Sequence, residues 1–270
     1  LAILEFVSDA IAIAIEHQRA DEAIKESEEK FRSVVENSHE GILIVGKDYR
    51  FIYVNDELCQ ILGYPNEEII GQDFRKFLDE DSKKLVSDRY IRRQRGEDIP
   101  HRYEFNIMRK DGRKRQVEIS SSIIKDSKGE IFTVAQILDI TERKQAEKLQ
   151  ATIYKISDAV NTTTNLDELY QTIHQHLSTV IDTTNFYIAL YDEDKDILSF
   201  PYYIDEKDTQ PVSHKPSKGL TEYVMRTGKS LFAPKEYYMK LVKEGKIELS
   251  GTPSEVWIGV PLKTADKTIG

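Results

Sequence analysis

The sequence has few of the residues that would lock it covalently or hold it in a bilayer. It has a single cysteine, Cys59, so no disulfide can form within the chain, and a reducing, cytoplasmic setting is expected. Its longest apolar run, AIAIAI at 10–15, falls far short of the ~20 residues that cross a membrane, and no secretory signal is visible. Basic residues are outnumbered: the net charge is −9, which argues against a nucleic-acid surface.

Catalytic signatures are missing as well. There is no G-x-G-x-x-G, G-x-S-x-G or H-E-x-x-H. Gly228-Lys229-Ser230 looks like the end of a phosphate loop, but Tyr223 stands where that loop needs glycine, so the segment reads as a turn. His174 and His176 are two apart on a helical stretch and point about 200° apart, so they cannot share a metal and read as surface histidines. Asp192 and Asp194 read as solvated acids of a hairpin turn. RYIRRQRG (89–96) and RKDGRKR (109–115) read as the exposed side of a helix and a hairpin tip. Cys59 lies on the apolar side of NDELCQILGY and reads as a small buried hydrophobe. Neither a catalytic centre nor a metal site is expected in this chain.

What is present fits two globular units joined by solvated helices: 270 residues, of which 39% are apolar and 31% charged. The opening without methionine and the close on KTIG read as a piece of a longer protein. Residues 1–37 read as one helix. It has an apolar stripe at Ile3, Val7, Ile11, Ala14 and Ile15, a charged middle, and a last apolar patch at Phe31, Val34 and Val35. Strands at 41–45 and 51–55 follow, then short helices over NDELCQILG and PNEEIIG. Gly63 suits a helix C-cap and Pro65 a first helical position. A helix over 81–95 leads to strands at 102–109, 114–124 and 131–139, the first two joined by a KDG turn. The order ββαααβββ predicts an α+β unit with a five-stranded antiparallel sheet flanked by helices.

From Thr141 the chain turns charged, with Ala146, Leu149, Ile153, Ile156 and Val160 spaced 3, 4, 3, 4, as in a coiled-coil seam. Such a helix either pairs with a second chain or packs on its own domain. A second α+β unit follows: a helix over 166–181, strands on either side of DEDKD, helices at 219–227 and 235–244, and a strand at 256–263.

The segments EEKFRSVVENSHEGILIV, FIYVNDELCQILGY, EEIIG, RKDGR and LDITERK, in that order and spacing, resemble a PAS domain. From residue 147 onward, ending in GTPSEVWIGVPL, the chain resembles a GAF domain that stops before its sheet is complete. LEFVSDAIAIAIEHQRA is similar to the closing helix of an upstream GAF domain. The resemblance implies residues 1–27 as that helix and a linker, 28–140 as PAS, 141–160 as a signalling helix and 161–270 as GAF. It implies the sensory region of a sensor histidine kinase that senses a small ligand and relays it through dimeric helices to an output domain. A dimerisation scaffold that binds nothing is the alternative.

Matched to the family, the strand alternation turns Leu43, Val45, Tyr103, Phe105, Ile107, Val117, Ile119, Ser121, Thr133, Ala135 and Ile137 toward the helices. That face is either a plain core or a site for a small, largely apolar ligand. The opposite face, with Ile42, Ile44, Phe132, Val134 and Leu138, needs a cover, for which Phe31, Val34 and Val35 are the nearest candidates. In the exit motif DITER, Thr141 can cap the helix. Asp139 can accept backbone N–H groups or pair with Arg143. The identity of any cofactor stays open. GQDFRKFL lacks the reactive cysteine of a flavin-binding PAS, the GAF segment has no cysteine for a bilin, and the 81–95 helix has no histidine for haem. The expected partners are a second copy, in a parallel homodimer held by residues 1–35 and by the 146–160 seam, and the output domain. Neither nucleic acid nor membrane is expected to bind this segment.

Overall fold

The structure is a computed structural model that describes the backbone at residues 2–249, 251–265 and 267–270, and side chains from Ile15 onward. It divides into two compact units, one up to Gln145 and one from Ala146.

The first unit opens with helix α1 (Ala2–Glu36), then strands β1 (Gly41–Val45) and β2 (Phe51–Val54), and helices α2 (Asp56–Leu62) and α3 (Asn66–Ile69). A 3₁₀ turn (Phe74–Phe77) leads to α4 (Glu80–Gln94), β3 (Arg102–Met108), β4 (Lys114–Lys125) and β5 (Ile131–Asp139). The strands form one antiparallel sheet in the order β2-β1-β5-β4-β3. Local chemistry sets the helix ends. The Asn55 side chain caps α2, and Gly63 closes it at a φ of 74°. Pro65 is the residue before α3 rather than its first helical residue, with an extended ψ of 156°. The Asp79 side chain caps α4, whose first turn is acidic and last turn basic, matching the helix dipole.

The sheet turns one face to the helices. Leu43, Val45, Phe105, Ile107, Val117, Ile119, Ala135 and Ile137 are buried there with Phe51, Leu58, Ile69, Phe74, Phe77 and Val86. On the other face Ile42, Ile44, Phe132, Val134 and Leu138 are half-buried. Of their expected covers, only Val35 is buried, at 6% exposure; Phe31 and Val34 stand 70% and 72% exposed. The carbonyl of Val35 is held by Asn55, which fixes the end of α1 with Val35 inward and the other two outward. The side chains of the upstream stripe at 3–14 lie outside the described residues.

Helix α5 (Thr141–Thr162) leads into the second unit, which continues with α6 (Leu166–Leu177), β6 (Phe186–Asp192), β7 (Ile197–Ile204), α7 (Leu220–Thr227), β8 (Leu231–Pro234), α8 (Lys235–Lys243) and β9 (Val256–Gly259). Two antiparallel pairs form, β6–β7 and β8–β9. Helix α6 stops four residues earlier than its apolar pattern predicts. Gly228, the glycine of the GKS segment, is the left-handed cap of α7, so that segment is a turn.

One side chain in this unit differs from its sequence reading. His174 is no surface histidine: its Nδ1 lies 2.9 Å from the Tyr202 hydroxyl, its Nε2 lies 2.9 Å from the Thr183 carbonyl, and its ring stacks on Phe186. Asp192 is a half-exposed acid of the β6–β7 turn, as expected, and accepts hydrogen bonds there from the Lys195 backbone N–H and ammonium. Among the described residues no helix is long and apolar enough to cross a membrane, and no group of three His, Cys, Asp or Glu is placed to hold a metal.

Candidate functional site

The inward face of the first unit's sheet closes on a cavity of about 60 Å³. Register builds it. Tyr103 pairs with Ile119, Ile119 with Ile137, and Ser121 with Ala135, which in turn pairs with Leu43, so alternate residues of four strands arrive on one side. Leu43, Val45, Tyr103, Phe105, Ile107, Ile119, Ser121, Thr133, Ala135 and Ile137 all line the space. Val117 faces the same way but is packed solid at 0% exposure and lines nothing. The opposite wall comes from residues with no assigned role in the sequence reading, among them Leu58, Phe77, Val86, Tyr90 and Arg93.

Arg93 corrects the reading of RYIRRQRG as an exposed helix side. It is 5% exposed. Its Nη2 reaches the Pro100 carbonyl only at 3.4 Å, and its Nε has no hydrogen-bond partner among the described residues. One turn earlier, Arg89 lies over the Tyr103 ring at 4.1 Å, with its buried Nη1 equally unpartnered. Among the described residues, neither guanidinium meets a carboxylate. An uncompensated buried charge costs about 3–5 kcal/mol. The phenols nearby stay neutral: burial pushes Tyr90 up to about 12, and it raises Tyr103 against the opposing pull of Arg93 and Arg89. Next to Arg93, the Gln94 amide donates to the Thr133 hydroxyl at 3.0 Å. This bond sets the last turn of α4 above the Ser121–Thr133 end of the sheet. A wider groove of about 380 Å³ lies in the second unit between α5 and α6, but it is open to solvent and carries no such convergent set.

The sheet leaves through a tied corner. The Thr141 N–H donates to Asp139 Oδ1 at 2.9 Å, and Arg115 Nη1 sits 3.2 Å from Asp139 Oδ2. Asp139 therefore caps α5 and takes its cation from β4, from Arg115. The Thr141 hydroxyl does not cap the helix; it accepts the Gln116 N–H at 3.0 Å. Ile140, 1% exposed, donates its N–H to the Gln116 carbonyl, and Lys144 pairs with Glu104 of β3 at 2.8 Å. The first turn of α5 is thus fastened to both β3 and β4.

Comparison with known proteins identifies both units. The PAS domain family matches residues 39–142 and the GAF domain family matches residues 163–270. The chain carries a PAS domain followed by a GAF domain. A methyl sulfide methyltransferase-associated sensor of Methanosarcina acetivorans is 33% identical over 141 residues, covering 51% of this chain and 14% of that protein. A probable diguanylate cyclase of Escherichia coli, DgcE, is 30% identical over 47% of this chain and 12% of its own length. The sensor histidine kinase TmoS of Ectopseudomonas mendocina is 23% identical over 62% of this chain and 18% of its own. The chain therefore spans less than a fifth of each of these relatives. Within the PAS domain, the cavity and the exit corner share strand β4: Ile119 and Ser121 line the cavity, while Arg115 and Gln116 hold the helix. In the GAF domain the Tyr187 hydroxyl of β6 meets Thr221 of α7 at 2.8 Å and the Trp257 indole N–H of β9 at 3.2 Å, which links the two strand pairs.

Proposed function

We propose that this chain is the input region of a larger cytoplasmic signalling protein, a sensor histidine kinase, that works as a homodimer through α1 and α5. In this reading the PAS cavity takes up a small ligand, and the cavity-lining strand passes its occupancy through Asp139 and Thr141 to the helix. The observation that carries the reading is the shared strand. A displacement of Ser121 or Ile119 need travel only a few residues along β4 to reach the bonds that hold α5. Catalysis belongs to the output domain and not to these residues.

Filling the cavity from within tests the relay. Ala135→Val places two methyl groups in the space, and hydrogen exchange is then followed at residues 141–148. Altered exchange there, with the core of β1 and β2 still protected, supports the relay. Unchanged exchange in a folded variant removes it. A cavity of only about 60 Å³ also favours a second reading, a dimerising scaffold whose core is plainly packed. Native mass spectrometry of the purified chain separates the two: a retained small molecule excludes the scaffold.

A further inference from the structure

We propose that the PAS cavity is a site for a small monocarboxylate of two to four carbons, with Arg93 as its counter-ion. This rests on the reading above that the cavity holds a ligand at all.

The charge argument comes first. Arg93 is 5% exposed and lines the cavity, and its Nε has no partner among the described residues. Among the described residues, no Asp or Glu lines the space with it. Water could satisfy the N–H but would leave the positive charge uncompensated. An anion does both, and the planar guanidinium fork matches the two oxygens of a carboxylate.

Shape and polarity narrow the class. The polar groups gather at one end: Ser121 and Thr133 are near neighbours across β4 and β5, and the Gln94–Thr133 bond sets the turn bearing Arg93 above them. The rest of the lining is aliphatic or aromatic, including Leu43, Ala135 and Ile137. A ligand with one charged end and a short apolar tail fits that division. Phosphate or sulfate does not, because its remaining oxygens would face hydrocarbon without donors. Size sets the length. At roughly 10–15 Å³ of such space per water, the cavity takes about four to six non-hydrogen atoms, the size of acetate, propionate or lactate.

The experiment uses the whole chain. Thermal unfolding and isothermal titration calorimetry are run with sodium acetate, propionate and lactate. The controls are sodium chloride at equal ionic strength, sodium sulfate, and the neutral isosteres acetamide and propionamide. A carboxylate at a hundredfold excess over its Kd is expected to raise the PAS unfolding midpoint by about 5–10 °C, with chloride, sulfate and the amides giving no such shift. Arg93→Met removes the charge while keeping an apolar chain of similar length, and is expected to weaken carboxylate binding at least tenfold. Binding of the amides as tightly as the carboxylates would overturn the charge assignment and leave the ligand-binding reading standing. If no small solute binds, both fall. An equal response from Arg93→Met would also overturn the proposal, since the anion would then sit elsewhere. If that variant does not fold, the wild-type comparison of carboxylate against amide and chloride decides alone.

Discussion

The hydroxyl of Thr141 accepts the backbone N–H of Gln116 at 3.0 Å, so the first residue of α5 is bonded sideways to the strand that lines the PAS cavity. Replacing Thr141 with valine keeps the branched shape and removes the acceptor. The site is solvent-exposed, so the expected cost is about 1 kcal/mol, a roughly fivefold change in local opening. Hydrogen exchange at residues 141–145 should speed up by that factor, while amides of β1 keep their protection. Unchanged exchange in the first turn would show that the Asp139 and Ile140 bonds hold the corner without the hydroxyl.

Asn55 is fully buried and uses its whole side chain. Its Oδ1 accepts the N–H groups of Ile42 and Leu58 at 2.8 and 3.1 Å, and its Nδ2 donates to the carbonyls of Val35 and Glu40 at 3.0 Å each. One residue thereby joins the end of α1, the loop after it, β1 and α2. Asn55→Asp turns a double donor into an oxygen facing two carbonyls and adds a buried charge. The expected loss is about 3 kcal/mol or more, read as a lower urea midpoint of the PAS transition. A loss below about 1 kcal/mol would mean that water replaces these bonds.

The PAS sheet is legible in the sequence because strand alternation has a period of two and one face is buried. Once β4 and β5 are placed, Ile119, Ser121, Ala135 and Ile137 can only point together. The charged and polar exceptions are not legible in that way. Arg93 sits in a run of four arginines that looks like a solvated helix side, and only the tertiary path of α4 over the sheet puts one of them inside. His174 looked like half of a surface pair because its partners, Tyr202 and Thr183, come from other segments. Strand β8 is not legible because it is four residues long, ends in Pro234 and has too few alternations to register. At the exit motif Asp139 accepts a backbone N–H as expected, but the Thr141 hydroxyl turns sideways to Gln116 instead of capping the helix. A carboxylate and a hydroxyl two residues apart can each cap a helix, and the choice depends on where Gln116 lies.

Asp79 is expected to make the PAS domain acid-sensitive. Burial works to raise its pKa, but the Ser82 and Asn106 hydrogen bonds and the Lys114 ammonium outweigh that and hold it at about 2. Its folded pKa therefore lies below the unfolded value of about 3.9, so the carboxylate contributes stability above about pH 4 that is lost as pH falls through about 2. With Lys114 in solvent, the contribution is discounted to about 1–2 kcal/mol. The stability difference between wild type and Asp79→Asn, measured by urea unfolding, should be largest near neutral pH and shrink toward pH 2. A difference independent of pH would mean that the charge of Asp79 contributes nothing beyond the shape of the cap.

Helix α5 presents two faces about a quarter turn apart. Thr152 and Ala159, seven residues apart, are buried against their own domain, whereas Leu149, Ile153 and Val160 stand 52%, 57% and 53% exposed. Packing on the GAF domain therefore does not use up the 3, 4, 3, 4 seam. Its spacing is that of a coiled-coil seam, and in the proposed parallel homodimer Ile153 would lie in the middle of the pair. Ile153→Glu puts a charge there at little expected cost to the monomer, because the position is open to solvent. The substitution should weaken self-association at least tenfold by light scattering, with the unfolding midpoint nearly unchanged. Removing residues 1–26 tests the other contact in the same assay. If α1 is the main joint, that truncation alone gives a monomer at micromolar concentration, and Ile153→Glu in the full chain only loosens the dimer. A dimer equally tight after both changes would place the interface on neither helix.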